Sequence, residues 1–419
     1  MYDLRIIHGS CYIEGHFVDQ NIYITNGKIA LISSDLLEAK KTVDAMHYKV
    51  LPGFIDPHVH LHLNIGKTFS ADDFTSGSYL AAFGGVTTII DFLDPINHLH
   101  DFDEVYQRRL KEASTSIVDY SFHATLGNFK GQVVALVDKV KDAGLGSIKV
   151  FTTYSDSDRR CSYDVIKEIL NEDILLLSHA EDDDMIKACM IMENYEASRS
   201  EASELSAVKK LISLMSDDSR LYIVHVSSGH TLETISKRQG LYLETCPHYL
   251  YLDKGKFLKD DGKLFLLAPP IRGKDSIKLI KEHISMIDSI GTDHCPFMKE
   301  EKLVNDIVDH IPKGIGGLGL SFQLMYDMFG DAIIDKFTVN PAEIFGLSDK
   351  GKIEVGKDAD FAIIDPKGLT DCSLNLTKAN HHSFSGVLNT EVKVTISRGH
   401  IIMSNGEVHP NKGQFIRRV

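Results

Sequence analysis

The 419-residue chain has no long apolar run. No stretch approaches the roughly 18 apolar residues of a membrane-spanning helix, so a helical membrane protein is excluded. Its first residues, MYDLRIIHGSCYIEG, lack the charged-then-apolar layout of a secretory signal. Basic residues are in the minority: 45 Lys and Arg against 59 Asp and Glu leave a net charge of −14. That balance argues against nucleic acid or an anionic membrane as partner. Cysteines are few and scattered (Cys11, Cys161, Cys189, Cys246, Cys295, Cys372), with no CxxC, and read as free thiols of a reducing compartment. Asn375-Leu376-Thr377 matches a glycosylation acceptor, but without a secretory signal it reads as chance. There is no fixed-period repeat and no low-complexity tract, and neither Gly84-Gly85 nor Gly316-Gly317 belongs to a phosphate-binding fingerprint. At 43% hydrophobic and 25% charged, the composition excludes a wholly disordered or fibrous chain. The unusual count is histidine, at 20.

The first 50 residues read as short strands with turns, including a hairpin at Asn26-Gly27. From Leu51 onward, apolar runs alternate with helical stretches. Eight runs predict strands at 51–61, 86–92, 119–126, 147–154, 173–180, 221–228, 241–249 and 286–296. Helical periods fall at 132–144, 162–172, 231–240 and 275–284. Eight strands alternating with helices predict an α/β fold built on a (β/α)8 TIM barrel. Strand texture returns after about 350, so the two ends are expected to meet in one small β domain. The resulting division is 1–50 and 349–419 for the β domain and 51–348 for the barrel.

Barrel chemistry sits where strands end, at the C-terminal face. Polar residues at or near those ends are His58 and His60 (first strand), Lys149 (fourth), His179 (fifth), His225 (sixth) and Asp293 (eighth). His58 and His60 share one strand face, two residues apart. Four imidazoles and a carboxylate suit Zn, with Mn, Fe or Co as other options. Lys149 is the odd member. Carbamylated by CO2, it becomes an anion able to bridge two metals; as a plain lysine it would pair with Asp293. Two bridged divalent ions would activate a shared water as the hydroxide nucleophile. Asp293 could then act as general base and acid, and Tyr154 as an oxyanion donor.

The segments GFIDPHVHL, SADDFTSGSYLAAFGGVTTIIDF, SIKVFTTY, LSHAED, VHVSSGHTLE, ETCPHYLYLD, APPIRGK, IGTDHCPF, TVNPAEIFGL and GKIEVGKDADFAIID, in this order, resemble the amidohydrolase superfamily. Within it they resemble the cyclic amidohydrolases: hydantoinases, dihydropyrimidinases, dihydroorotases and allantoinases. The resemblance covers nearly the whole chain. It implies a TIM barrel with a composite β-sandwich from both termini. It also implies that His58, His60, Lys149 and Asp293 hold one metal, and carbamylated Lys149, His179 and His225 a second. Tyr154 would be the oxyanion-stabilising tyrosine. A cytoplasmic homo-oligomer, dimer or tetramer, acting on a small cyclic amide is implied as well.

Dihydroorotases and allantoinases carry HxHLR; here His62 stands in the Arg position, and a neutral imidazole does not replace a guanidinium fork. The second segment and the terminal NKGQFIRR are closer to hydantoinases and dihydropyrimidinases. Dihydropyrimidines or 5-substituted hydantoins are therefore the expected substrates. Dihydroorotate or another anionic ring is the alternative, and a non-catalytic scaffold is a third reading. The hydantoinase pattern has Ser where Ala268 stands, Asn where Lys313 precedes Gly314, and an acid where Gly319 stands. Ala268, Lys313 and Gly314 are expected to contact the ring through backbone groups, with His62 nearby. Arg159 or Arg160 is a candidate contact for an acidic exocyclic group, against a solvated loop pair. His294 is read as an orienter of neighbouring groups, Cys246 and Cys295 as packing thiols, His248 as an open question, and Asp182-Asp183-Asp184 as charges opening a helix.

Overall fold

The computed structural model describes residues 1–374 and 377–418. Asn375 and Leu376 of the glycosylation-like triplet lie outside them. Eight strands form one parallel sheet: β1 (Phe54–Val59), β2 (Val86–Phe92), β3 (Asp119–Thr125), β4 (Ser147–Phe151), β5 (Leu175–His179), β6 (Arg220–Ile223), β7 (Leu241–Thr245) and β8 (Ser289–Ile290). Each pairs with the next in sequence. Every residue of β1, β2 and β3 is buried, as strands covered on both faces require. The sheet closes through polar groups. The His60 amide donates to the His294 carbonyl at 2.9 Å, and the Asp56 carboxylate accepts from the His58 and Thr292 amides, each at 3.1 Å.

Helices Phe74–Phe83, Phe102–Ala113, Val133–Asp142, Tyr163–Leu170, Glu201–Leu214 and Lys274–Glu282 surround the barrel. The helix expected at 231–240 is instead Gly229–Thr234. The Ser228 hydroxyl caps it by accepting from the Thr231 amide, and buried Ile235 takes the chain out of it in extended conformation. The acidic triplet opens no α-helix: Asp183–Met185 is a single 3₁₀ turn. Its carboxylates are tie points, Asp182 to Lys210 and Ser206, Asp183 to Thr153 and Arg160.

Both termini build the second unit, a β-sandwich. One four-stranded sheet holds Tyr2–Ile7, Asn21–Thr25, Lys28–Ser33 and Ala39–Asp44. A seven-stranded sheet mixes Ser10–Ile13, His16–Asp19 and Lys49–Pro52 with Phe361–Asp365, Glu391–Ser397, His400–Ser404 and Glu407–Val408. Leu4, Ile22, Val50, Phe361 and Ile363 meet between the sheets. Asn26 and Gly27 both have positive φ, 52° and 74°, the conformation a two-residue hairpin turn requires.

Two charged devices join the units. The Lys350 ammonium, buried, contacts Asp119 at the start of β3 (2.6 Å) and Asp358 and Asp360 beside the sandwich (2.9 and 2.7 Å). This cluster of three acids already holds its cation. At the barrel floor, buried Arg418 donates to the Ser121 and Ser147 hydroxyls and the Phe122 carbonyl, pinning the C-terminal arm beneath the strands.

Candidate active site

The six anticipated side chains meet at the C-terminal mouth of the barrel. Nε2 of His58 and of His60 each lie 3.1 Å from Asp293 Oδ1 and 3.2 Å from one another. His179 Nδ1 lies 3.0 Å from His225 Nε2, and the His58 and His225 ring centroids are 5.5 Å apart. Lys149 is buried on β4, its ammonium 5.1 and 5.4 Å from the Phe92 and Phe151 ring centroids. Its charge acts on His60, His179 and His225 alike.

Whether these groups fit divalent cations follows from where their protons are committed. His58 Nδ1 faces Glu244 Oε1 at 2.7 Å, and His179 Nε2 faces Glu181 Oε2 at 2.6 Å. Each carboxylate takes one N–H of its histidine and turns the other ring nitrogen toward the centre, where it offers a lone pair whenever the ring is neutral. At His179 that nitrogen faces His225 Nε2 at 3.0 Å, bringing a second pair of ring nitrogens together. Lone pairs gathered around a carboxylate are a donor set for hard or borderline cations, so the residues fit.

The electrostatics agree. Burial depresses His225 well below the usual imidazole range, with His179 adding to it, and keeps it in its ligand form. Burial would depress His58 too, but Glu244 and Asp293 outweigh it and lift it to about 9, so a cation entering here displaces a proton. Burial opposes the charged form of Asp293, yet His58 and His60 hold it well below the usual carboxylate range. Burial lowers Lys149 to about 8, which brings the neutral amine needed for reaction with CO2 within reach of neutral pH.

Several groups that sequence reasoning missed hold this centre. Glu244, in the apolar run of β7, also accepts from the His225 amide (2.8 Å) and the Tyr222 hydroxyl (2.8 Å). Glu181 pairs with buried Arg199, whose Nη2 reaches the Tyr154 hydroxyl at 3.1 Å. Asp91 on β2 accepts from the Leu61 amide (2.8 Å) and pairs with Arg109, fixing the turn after His60. A charge inside an apolar run is the signal that marks Lys149, and it marks Asp91 and Glu244 equally. Arg199 carries no such signal. Tyr154, His225, Asp293 and His62 all have positive φ (73°, 41°, 48° and 53°), a region costly for such residues and frequent at functional sites.

A cavity of about 540 Å³ opens above these groups. Tyr154, Ala268, Lys313, Gly314 and Arg159 line it. His62 does not: its left-handed backbone turns the chain aside, and its ring stacks on Phe69 at 4.5 Å. Gly319 also lies outside the cavity lining; its backbone packs where a side chain at Gly84 would stand. His294 Nε2 faces Asp72 at 3.1 Å and its Nδ1 accepts from the Gly317 and Leu318 amides, so it orients the loop after β8. Buried His248 packs on Tyr249 away from the cavity. Burial holds the Cys246 and Cys295 thiols well above their usual range, which suits packing rather than attack. No helix among the described residues is long and apolar enough to cross a membrane, and all six cysteines are free and buried.

A TIM barrel with a histidine–carboxylate–lysine centre at its C-terminal mouth defines a metal-dependent hydrolase class. Residues 49–402 match the amidohydrolase family, and the chain belongs to it. D-phenylhydantoinase of Escherichia coli O1:K1 is 29% identical over 440 residues, covering 95% of this chain and 94% of that protein. Among solved structures, dihydropyrimidinase from Brevibacillus agri NCHU1002 superimposes with a TM-score of 0.92 at 26% identity, covering 100% of this chain and 99% of the other. L-hydantoinase (dihydropyrimidinase) from Arthrobacter aurescens gives 0.89 at 26% identity, with both chains fully covered.

Proposed function

We propose that the protein hydrolyses the cyclic amide bond of a dihydropyrimidine or a 5-substituted hydantoin. The carrying observation is the convergence of His58, His60, Lys149, His179, His225 and Asp293 beneath a cavity that Tyr154 overlooks. In this reading His58, His60 and Asp293 would hold one divalent ion and His179 and His225 a second, with carbamylated Lys149 as a further ligand. Zn is the favoured metal, with Mn, Fe or Co as alternatives. Divalent ions held there would supply an activated water near neutral pH and polarisation of the amide carbonyl.

The chain's own groups do the rest. Asp293 stays ionised at neutral pH, accepts the proton of the attacking water and returns it to the leaving ring nitrogen. Arginine has only donors, so the Tyr154 oxygen accepts from Arg199 and its O–H hydrogen is left for the cavity. Burial raises the phenol to about 12, so it remains a neutral donor for the carbonyl oxygen as charge develops there. Glu181 and Glu244 keep the histidine rings turned inward. Backbone groups at Ala268, Lys313 and Gly314 position the ring. Residues 51–348 form the catalytic barrel, with 1–50 and 349–419 as the sandwich, in a cytoplasmic homo-oligomer.

A panel of dihydrouracil, hydantoins, dihydroorotate and allantoin tests the reading. Ring opening of the first two classes is expected. Turnover of dihydroorotate or allantoin alone would shift the reading to that branch, and turnover of none would overturn it.

A further inference from the structure

Resting on the cyclic-amidohydrolase reading, we infer that Arg159 makes this site select rings whose exocyclic group carries a carboxylate. The loop after β4 holds two adjacent arginines, and the structure separates them. Arg160 is spent: its Nη1 pairs with Asp183 at 3.2 Å and lies 3.7 Å from Asp184. Arg159 lines the cavity and forms no ion pair among the described residues.

Its nearest chain neighbour of opposite charge is committed elsewhere. Asp158 accepts from the Asn97 and Asn128 side-chain amides at 3.1 and 2.8 Å, which anchors the loop. The Arg159 amide donates to the Tyr154 carbonyl at 3.1 Å, so the turn folds Arg159 back beside the oxyanion donor. Its charge is felt at Tyr154 and at Cys295, both of them cavity-lining residues.

None of the acids on the cavity wall, Asp293, Glu301 and Asp309, forms an ion pair with Arg159 among the described residues. Glu301 accepts from the Thr68 hydroxyl and the Met298 amide, and Asp309 from the Cys189 amide. Lys67, Lys149 and Lys313 also line the cavity, the Lys313 Nζ turned to the Asp309 carbonyl at 3.2 Å. A guanidinium fork without an ion-pair partner among the described residues, on the wall of the substrate cavity, matches a carboxylate on the substrate. It does not match an alkyl or aryl arm, which would leave that charge partly desolvated and unpaired.

The test compares matched pairs that differ in that charge: 5-(2-carboxyethyl)hydantoin against 5-propylhydantoin, and dihydroorotate against dihydrouracil. In at least one pair the wild-type protein should favour the carboxylated ring in kcat/KM. Arg159→Ala should cut that preference about 10- to 100-fold, the worth of one charge-assisted bidentate contact, with Arg159→Lys between. In the wild-type protein, raising salt should increase KM for the carboxylated ring only, a readout that needs no variant to fold. Equal or better turnover of the neutral ring in both pairs, or a preference unchanged in Arg159→Ala, overturns the inference and leaves ring hydrolysis standing. Failure to open any of the four rings overturns the functional reading itself.

Discussion

Tyr154→Phe removes one oxygen and little else. The ring stays in place, 5.8 Å from Phe151 and 5.2 Å from His179 between centroids, with the Arg199 guanidinium 5.0 Å over its face. Arg199 loses one acceptor but keeps both contacts to Glu181, so the stability cost stays near 1 kcal/mol. The kinetic cost is larger. In the proposed mechanism the lost hydroxyl is a neutral donor aimed at charge that exists only in the transition state. Removing one such donor costs about 3–4 kcal/mol, or roughly 10²- to 10³-fold. Because the substrate carbonyl carries little of that charge, the loss falls on kcat while KM stays within a few-fold. Steady-state kinetics on dihydrouracil or a hydantoin, with metal content and thermal unfolding measured on the same preparation, make the comparison. A variant with full metal content and kcat within threefold of wild type would refute the assigned role.

Other expectations concern the centre and its supports. Lys149→Ala should lose metal and activity together, and short carboxylic acids added in trans should restore part of both; full activity without additives would rule out a bridging role. Apparent metal affinity should rise at least about tenfold per pH unit between pH 6 and 8, because His58, lifted to about 9, must shed its proton to act as a ligand; competition with a chelator of known pH dependence measures this, and a flat profile would contradict it. Asp72 should matter in acid. Burial would raise it, but His294, the Thr377 hydroxyl and the Lys378 amide bring it down to about 2. A depressed carboxylate adds stability above its unfolded value of 3.8 and loses it as pH falls toward 2, here about 2 kcal/mol. Urea unfolding at pH 5 and pH 2.5 should therefore show a smaller acid loss in Asp72→Asn than in wild type, and equal losses would contradict the assignment.

The barrel was legible because buried parallel strands read as continuous apolar runs. Seven of the eight expected runs contain their strand whole, and the run at 221–228 overlaps the sixth, which starts one residue earlier at Arg220. The helices were less legible. Phe74–Phe83 is apolar on nearly every side and shows no stripe, and Glu201–Leu214 begins only after a short helical turn at Tyr195–Ser198. Among the site groups, His58, Lys149 and His179 were readable as polar residues inside strand runs, and His60, His225 and Asp293 as polar residues just past strand ends. The same rule marks Glu244 and Asp91, whose partners lie 186 and 18 residues away and become visible only in three dimensions. Arg199 sits at the end of a short helical turn, where an arginine needs no explanation in one dimension. Nor does sequence distinguish Arg159 from Arg160; Asp183, on a different loop, does.

The account rests on paired divalent ions held at one barrel mouth and required for opening a ring. Exhaustive chelation followed by stepwise return of zinc or manganese, with bound metal and hydantoin hydrolysis measured at each step, tests this most directly. Activity should vanish in the stripped protein and return in full at about two ions per chain. Undiminished turnover by the metal-free protein would contradict it.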